Sequence, residues 1–214
     1  MKHTRIILIA ISITLSLTLT FACIYSAAMW ISLHFVDGGN SISIPAAEHH
    51  LRQATVDAAQ NWLGTAEGSS AHQQILQIYN SFEPLARGYE VKMEDNWCAT
   101  YGSCVAIEQG LTNIIPTECG CERQIGLWQE MGRWEEKDTY IPLPGDYIYY
   151  NWDQPVAPGD NTGWSDHVGI VVGTLGPAIK VIEGNRDDSV TYRIIFLWDH
   201  RIRGYGLPDY ASIT

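Results

Sequence analysis

The sequence predicts an α+β domain in which a sheet packs against helices. Two observations carry this. Apolar residues at helical spacing occupy the chain up to about Trp134, and four β-rich runs follow, separated by Gly, Pro or Asp clusters. Elements segregated in this order pack as separate layers instead of alternating as βαβ units.

The chain of 214 residues has room for one domain and a terminal extension. That extension comes first. Lys2, His3 and Arg5 precede a run from Ile6 to Val36 without Asp, Glu, Lys or Arg. A secretory apolar core needs only ~7–15 residues and a membrane span ~20, so residues 1–36 read as a membrane-targeting helix, either a cleaved signal peptide or an uncleaved anchor. The basic head stays inside, which puts the rest of the chain outside the cytoplasm. Ser26 and Ala28 are small enough to precede a cleavage site. Thr20-Phe21-Ala22-Cys23 is a poor lipoprotein signal, because Phe stands where a small residue is needed. Gly38, Gly39, Pro45 and small polar residues make 37–54 a linker, and the domain spans 55–214.

Within the domain, Val56, Ala59, Trp62 and Leu63 follow a helical period closed by Gly64. Ser69 and Ser70 can cap a second helix with Ile75, Ile78, Tyr79 and Phe82 on one face. A third helix runs from about Cys98 to Glu108 and stops at Gly110. Cys119 to Glu122 reads as a loop, and Ile125 to Trp134 as a short helix. The strands are Tyr147 to Asn151, Val168 to Val172, Ile179 to Glu183 and Val190 to Phe196.

Composition narrows the function. At 46% hydrophobic and 17% charged residues, with eight Trp and eleven Tyr, the chain can bury a core and is not disordered. A net charge of -11 and the lack of a basic stripe exclude a nucleic-acid surface.

The chemistry starts at Cys98. At the first turn of a helix, backbone N–H groups and the helix dipole favour a thiolate, as a cysteine nucleophile requires. His167 opens the apolar strand Val168-Gly169-Ile170-Val171-Val172, where it can face that helix end. Glu183 and Asn185 lie two apart on the next strand, hence on one face, and either could hold the imidazole in its working tautomer. Asp166 reads as a turn residue. Trp152 and Trp164 read as core-packing or loop-anchoring residues, with stacking on a ring-shaped ligand along a groove as the alternative.

Four segments together resemble the CHAP family, the cysteine, histidine-dependent amidohydrolases/peptidases. They are Trp97-Cys98-Ala99, Pro144-Gly145-Asp146-Tyr147, Ser165-Asp166-His167-Val168-Gly169 and Glu183-Gly184-Asn185. Arg203-Gly204-Tyr205-Gly206-Leu207-Pro208-Asp209-Tyr210 resembles the end of such domains, and Glu67-Gly68-Ser69 with His72 their helical lead-in. The resemblance covers about Val56 to Tyr210. It implies a papain-like (NlpC/P60-like) fold with helices on an antiparallel sheet. By resemblance Cys98 is the nucleophile, His167 the base, Glu183 its partner and Asn185 an auxiliary polar residue. It also implies peptidoglycan as the partner, cleavage of the muramoyl–L-alanine amide or a peptide cross-bridge, and no cofactor. The location is then the cell membrane with an extracytoplasmic domain, or the cell wall after secretion. An acidic protein is not drawn electrostatically to an anionic wall, so binding rests on shape, hydrogen bonds or tethering. One departure is Gly102, which weakens the helix after the nucleophile by ~1 kcal/mol.

Two other functions share this fold. A silent wall-binding module is opposed by the intact Cys98, His167 and Glu183 set. Acyl transfer to an amine uses the same residues. Cys104, Cys119 and Cys121 remain. Cys119-Gly120-Cys121 is too tight for an easy internal bridge. A disulfide from Cys104 to Cys119 or Cys121 is expected outside the membrane, stabilising by ~3 kcal/mol. The three lack the paired CxxC spacing of a zinc site.

Overall fold

A computed structural model describes residues 44–152 and 163–214. The membrane-targeting helix expected over 1–36 lies outside them, as does the first part of the expected linker. Among the described residues no helix is long and apolar enough to cross a membrane.

Among the described residues four α-helices come first: α1 (Ala46–Gln60), α2 (Ser70–Asn80), α3 (Cys98–Glu108) and α4 (Cys121–Glu130). Six strands follow: β1 (Trp134–Glu135), β2 (Tyr147–Tyr150), β3 (His167–Leu175), β4 (Ala178–Arg186), β5 (Ser189–Phe196) and β6 (Ile202–Gly206). They form one antiparallel sheet in the order β1-β6-β2-β3-β4-β5. The α+β layout expected from the sequence is the one observed.

The helix starts and stops follow local chemistry. The Ser69 hydroxyl accepts from His72 N–H at 3.2 Å and caps α2, whose Ile75, Leu76 and Tyr79 are buried. Gly110 takes the left-handed φ directly after the cap of α3, whereas α1 already ends at Gln60 and the left-handed Gly64 closes the turn beyond it, which holds Trp62 and Leu63. Two expectations need correction. The first helix begins at Ala46, inside the stretch read as linker. Its polar first half docks through a buried ion pair instead of an apolar stripe: Arg52 Nη1 lies 2.8 Å from Asp146 Oδ1 and also donates to the Pro144 carbonyl. The fourth helix begins and ends one turn earlier than read. Its first turn, Cys121-Glu122-Arg123-Gln124, carries little apolar signal, and the left-handed Gly132 ends it before Trp134.

α3 is buried on every side from Cys98 to Ala106, the signature of a central helix. Two glycines let it sit hard on the sheet. A Cβ on Gly102 would stand 2.9 Å from Tyr147 Cε1, and one on Gly184 would stand 2.6 Å from Tyr101 Cβ. Tyr147 Oη also donates to the Gly102 carbonyl at 2.8 Å. The glycine that weakens α3 as an isolated helix is therefore where β2 approaches it.

Strand alternation divides the core. Tyr147, Tyr149, Val168, Ile170 and Ile182 face the helices, while Ile148, Tyr150, Val171, Val181 and Tyr205 build a second cluster on the other side. This parity places His167 and Glu183 on neighbouring strands with the second cluster. β1 and β6, unread as strands in the sequence, extend the sheet beyond β2, and Gly206 makes room there for the Trp128 ring.

Candidate active site

Trp97 fixes the start of α3. It is fully buried, its Nε1 donates to Glu67 Oε2 at 3.1 Å, and its ring centroid lies 4.5 Å from that of His72. No side chain caps the helix, so the first-turn N–H groups are open to the Cys98 sulfur. Cys98 is itself buried, at 4% exposure.

His167 is the first residue of β3, paired with Tyr150 and stacked against its ring at 6.0 Å. Its Nε2 lies 3.2 Å from Glu183 Oε2, which leaves Nδ1 for the sulfur. Burial alone would lower the His167 pKa; the sulfur of Cys98 and the carboxylate of Glu183 outweigh it and raise the imidazole to about 10. The Cys98 thiol moves the other way, well below its ordinary range. A hydrogen bond from Cys121 acts most strongly there, opposed by burial and helped by His167 and the Ala99 N–H. A thiolate–imidazolium pair satisfies both shifts.

Glu183 is completely buried and bridges His167 and Arg193, with Arg186 Nε further off at 3.9 Å from its Oε2. Its Oε2 faces His167, and its Oε1 lies 2.6 Å from Arg193 Nε. Burial would raise its pKa; His167 and Arg193 overcome that and hold it below the ordinary carboxylate range. Arg193 sits on β5 opposite Val181, one diagonal step from Glu183, and lies over the Trp152 ring at 4.3 Å. Gly169 keeps the path open. A Cβ there would come within 2.7 Å of Glu183 Cγ and 2.5 Å of Val181 Cγ1.

The structure thus brings Cys98, His167 and Glu183 together, and places Asn185 elsewhere. The β4–β5 register shifts after Glu183, and Asn185 takes φ 56°. Strand alternation no longer holds there, and Asn185 Nδ2 donates to Asn96 Oδ1 at 3.3 Å, with no bond to the imidazole. Asp166, expected as a turn residue, lies in irregular chain just before β3, its Oδ2 accepting from Trp152 N–H at 2.8 Å. Its carbonyl oxygen lies 4.0 Å from the Cys98 sulfur. Trp152 packs beneath Arg193 and Arg201, which fits anchoring. Trp164 is 70% exposed and lines an open cleft of about 220 Å³ together with Asn96, Cys98, Glu122 and Arg123.

Two residues escaped the sequence reading. Arg193 is one. The other is Cys121, whose sulfur lies 3.5 Å from that of Cys98. The disulfide expected from Cys104 is absent: all four described cysteines are free thiols. Cys104 lies about 9 Å along α3 from Cys98 and turns toward Glu108, so the thiol that meets Cys121 is Cys98. Among the described residues, no group of three or more His, Cys, Asp or Glu is placed to hold a metal ion.

Fold and site define an α+β domain with a buried Cys–His–Glu cluster at a cleft. No family model matches the chain, and no curated protein does. Among solved structures it is similar to an NlpC/P60 family protein from Bacillus cereus, at 18% identity and a TM-score of 0.41, with 79% of this chain and 43% of that chain covered. It is also similar to the protein Ly7917, at 13% identity and a TM-score of 0.40, with 74% and 62% covered. The chain spans less than half the length of the first and less than two thirds of the second.

Proposed function

We propose that the chain is a peptidoglycan hydrolase of the CHAP type, with a papain-like fold, that cleaves an amide bond through Cys98. The observation that carries this reading is the buried His167–Glu183 pair, 3.2 Å apart, set beside Cys98 so that thiol and imidazole shift each other toward the ion pair.

In this mechanism the Cys98 thiolate attacks the scissile carbonyl. Open N–H groups at the α3 start stabilise the oxyanion. The His167 imidazolium protonates the leaving amine, then as a neutral base activates water to release the acyl-enzyme. Glu183 holds the imidazole by Nε2 and favours its charged form. Trp164, exposed beside the cleft, offers a face on which a wall sugar can stack. The charge-free run from Ile6 to Val36 supports delivery to the outer face of the membrane, as an anchored or a released protein.

Mass spectrometry of purified sacculi treated with the full chain tests the reading. New fragments ending at one amide bond, absent with Cys98→Ala, are expected. Fragments carrying an added amine would mean acyl transfer. An unchanged fragment pattern at any dose would overturn the proposal.

A further inference from the structure

Hydrolysis of an amide needs one thiol, and this site has two in contact. Cys98 and Cys121 are each the buried first residue of a helix, with sulfurs 3.5 Å apart. Both line the same open cleft. A disulfide needs sulfurs ~2 Å apart, so closing this pair takes roughly 1.5 Å, within the range of side-chain rotation. The other two described cysteines have partners of their own. Cys104 faces Glu108, and Cys119 accepts from Arg87 Nη2 at 3.2 Å beside Glu118.

We propose that Cys98 and Cys121 form a reversible oxidation site, in which a small peroxide links the two sulfurs and takes the nucleophile out of use. The inference rests on the proposed function only for that consequence; the sulfur chemistry stands on the geometry.

The steps balance with hydrogen peroxide as oxidant. The Cys98 thiolate attacks one peroxide oxygen, the O–O bond breaks, and Cys98 becomes a sulfenic acid. The departing hydroxide takes a proton from the His167 imidazolium and leaves as water. The Cys121 sulfur then attacks the sulfenyl sulfur. Its proton goes with the displaced hydroxyl as a second water, and the S–S bond forms. Two thiols and one peroxide give one disulfide and two waters, with two electrons passing from sulfur to peroxide. A dithiol reductant reverses the product. Without Cys121 the sulfenic acid loses the thiol in contact with it and proceeds to the sulfinic acid, which such a reductant does not restore.

The test treats the reduced full chain with hydrogen peroxide, blocks free thiols with iodoacetamide, and maps peptides without reduction. A Cys98–Cys121 linked peptide is expected, together with recovery of Cys98 as a free thiol after dithiothreitol. In Cys121→Ser, and in Cys121→Ala as a second variant, the same dose should leave about tenfold more Cys98 as sulfinic or sulfonic acid. A wild-type Cys98 oxidised to sulfinic acid beside a free Cys121 overturns the proposal, as does a Cys98–Cys119 link. A reversible Cys98–Cys121 link in a chain that never cleaves walls when reduced upholds the oxidation site and overturns the function.

Discussion

Cys98 and Cys121 occupy the same kind of place. Each opens a helix, neither helix has a side-chain cap, and both thiols are buried. Yet Cys98 is pushed well below the ordinary thiol range and Cys121 well above it. Position at a helix start, worth ~0.3–1 kcal/mol, cannot separate them. Their partners can. Cys98 has a donor in Cys121 and an imidazolium in His167, while Cys121 has a sulfur that is already an anion, burial, and the nearby Asp166. Two adjacent thiols do not both ionise, and the one with the imidazole wins.

The largest expected effect sharpens this contrast. Cys98→Ala should reduce turbidity loss of cell walls by at least about a thousandfold, whereas Cys121→Ser, which keeps a donor beside the sulfur, should cost less than about tenfold. Equal losses in the two variants would show that both sulfurs take part in the chemistry.

Next is Glu183→Gln, expected to lower kcat by about a hundredfold. Its sign on pH is fixed. Glu183 is one of the groups that raise His167 to about 10, and activity ends on the alkaline side when the imidazolium loses its proton. Removing the carboxylate brings that limb down by roughly one pH unit, toward neutrality. A pH–rate profile with an unmoved alkaline limb would deny Glu183 this role.

Arg193 acts one step further out. Arg193→Gln leaves Glu183 buried against His167, with the remaining guanidinium, Arg186, at 3.9 Å from its Oε2. Arg193 keeps 20% of its side chain exposed, so the cost is set below that of a fully buried pair, at about 2 kcal/mol in urea unfolding. Rescue by Arg193→Lys would locate the effect in the charge.

Asn185→Ala is expected to be the mildest, about twofold in kcat, because Asn185 meets Asn96 at the cleft rim and does not reach the imidazole.

The contrast also marks what could be read from the chain. Cys98, His167 and the α3 boundaries were legible because local signals fix them: a helix period stopped by Gly110, and an apolar run behind the His. The two-residue spacing of Glu183 and Asn185 misled, since strand alternation fails where the register shifts. A signal was present in Asn185-Arg186-Asp187-Asp188, because Asn and Asp are the types that tolerate the positive φ seen at 185, 187 and 188. Arg193 and Cys121 were beyond local reading. One depends on β4–β5 register, the other on a helix whose first turn is polar and whose sulfur meets a residue on a different helix.

The most direct test of the central claim is the alkylation rate of each cysteine with iodoacetamide, followed by mass spectrometry from about pH 5 to pH 10. If Cys98 is a thiolate held by His167 and Cys121 a thiol beside it, Cys98 should react about a hundredfold faster than Cys121 near pH 6, with little change toward pH 8, and His167→Ala should erase that lead. A Cys98 rate that climbs only above about pH 8 in the intact chain, or a Cys121 that reacts first, would contradict the account.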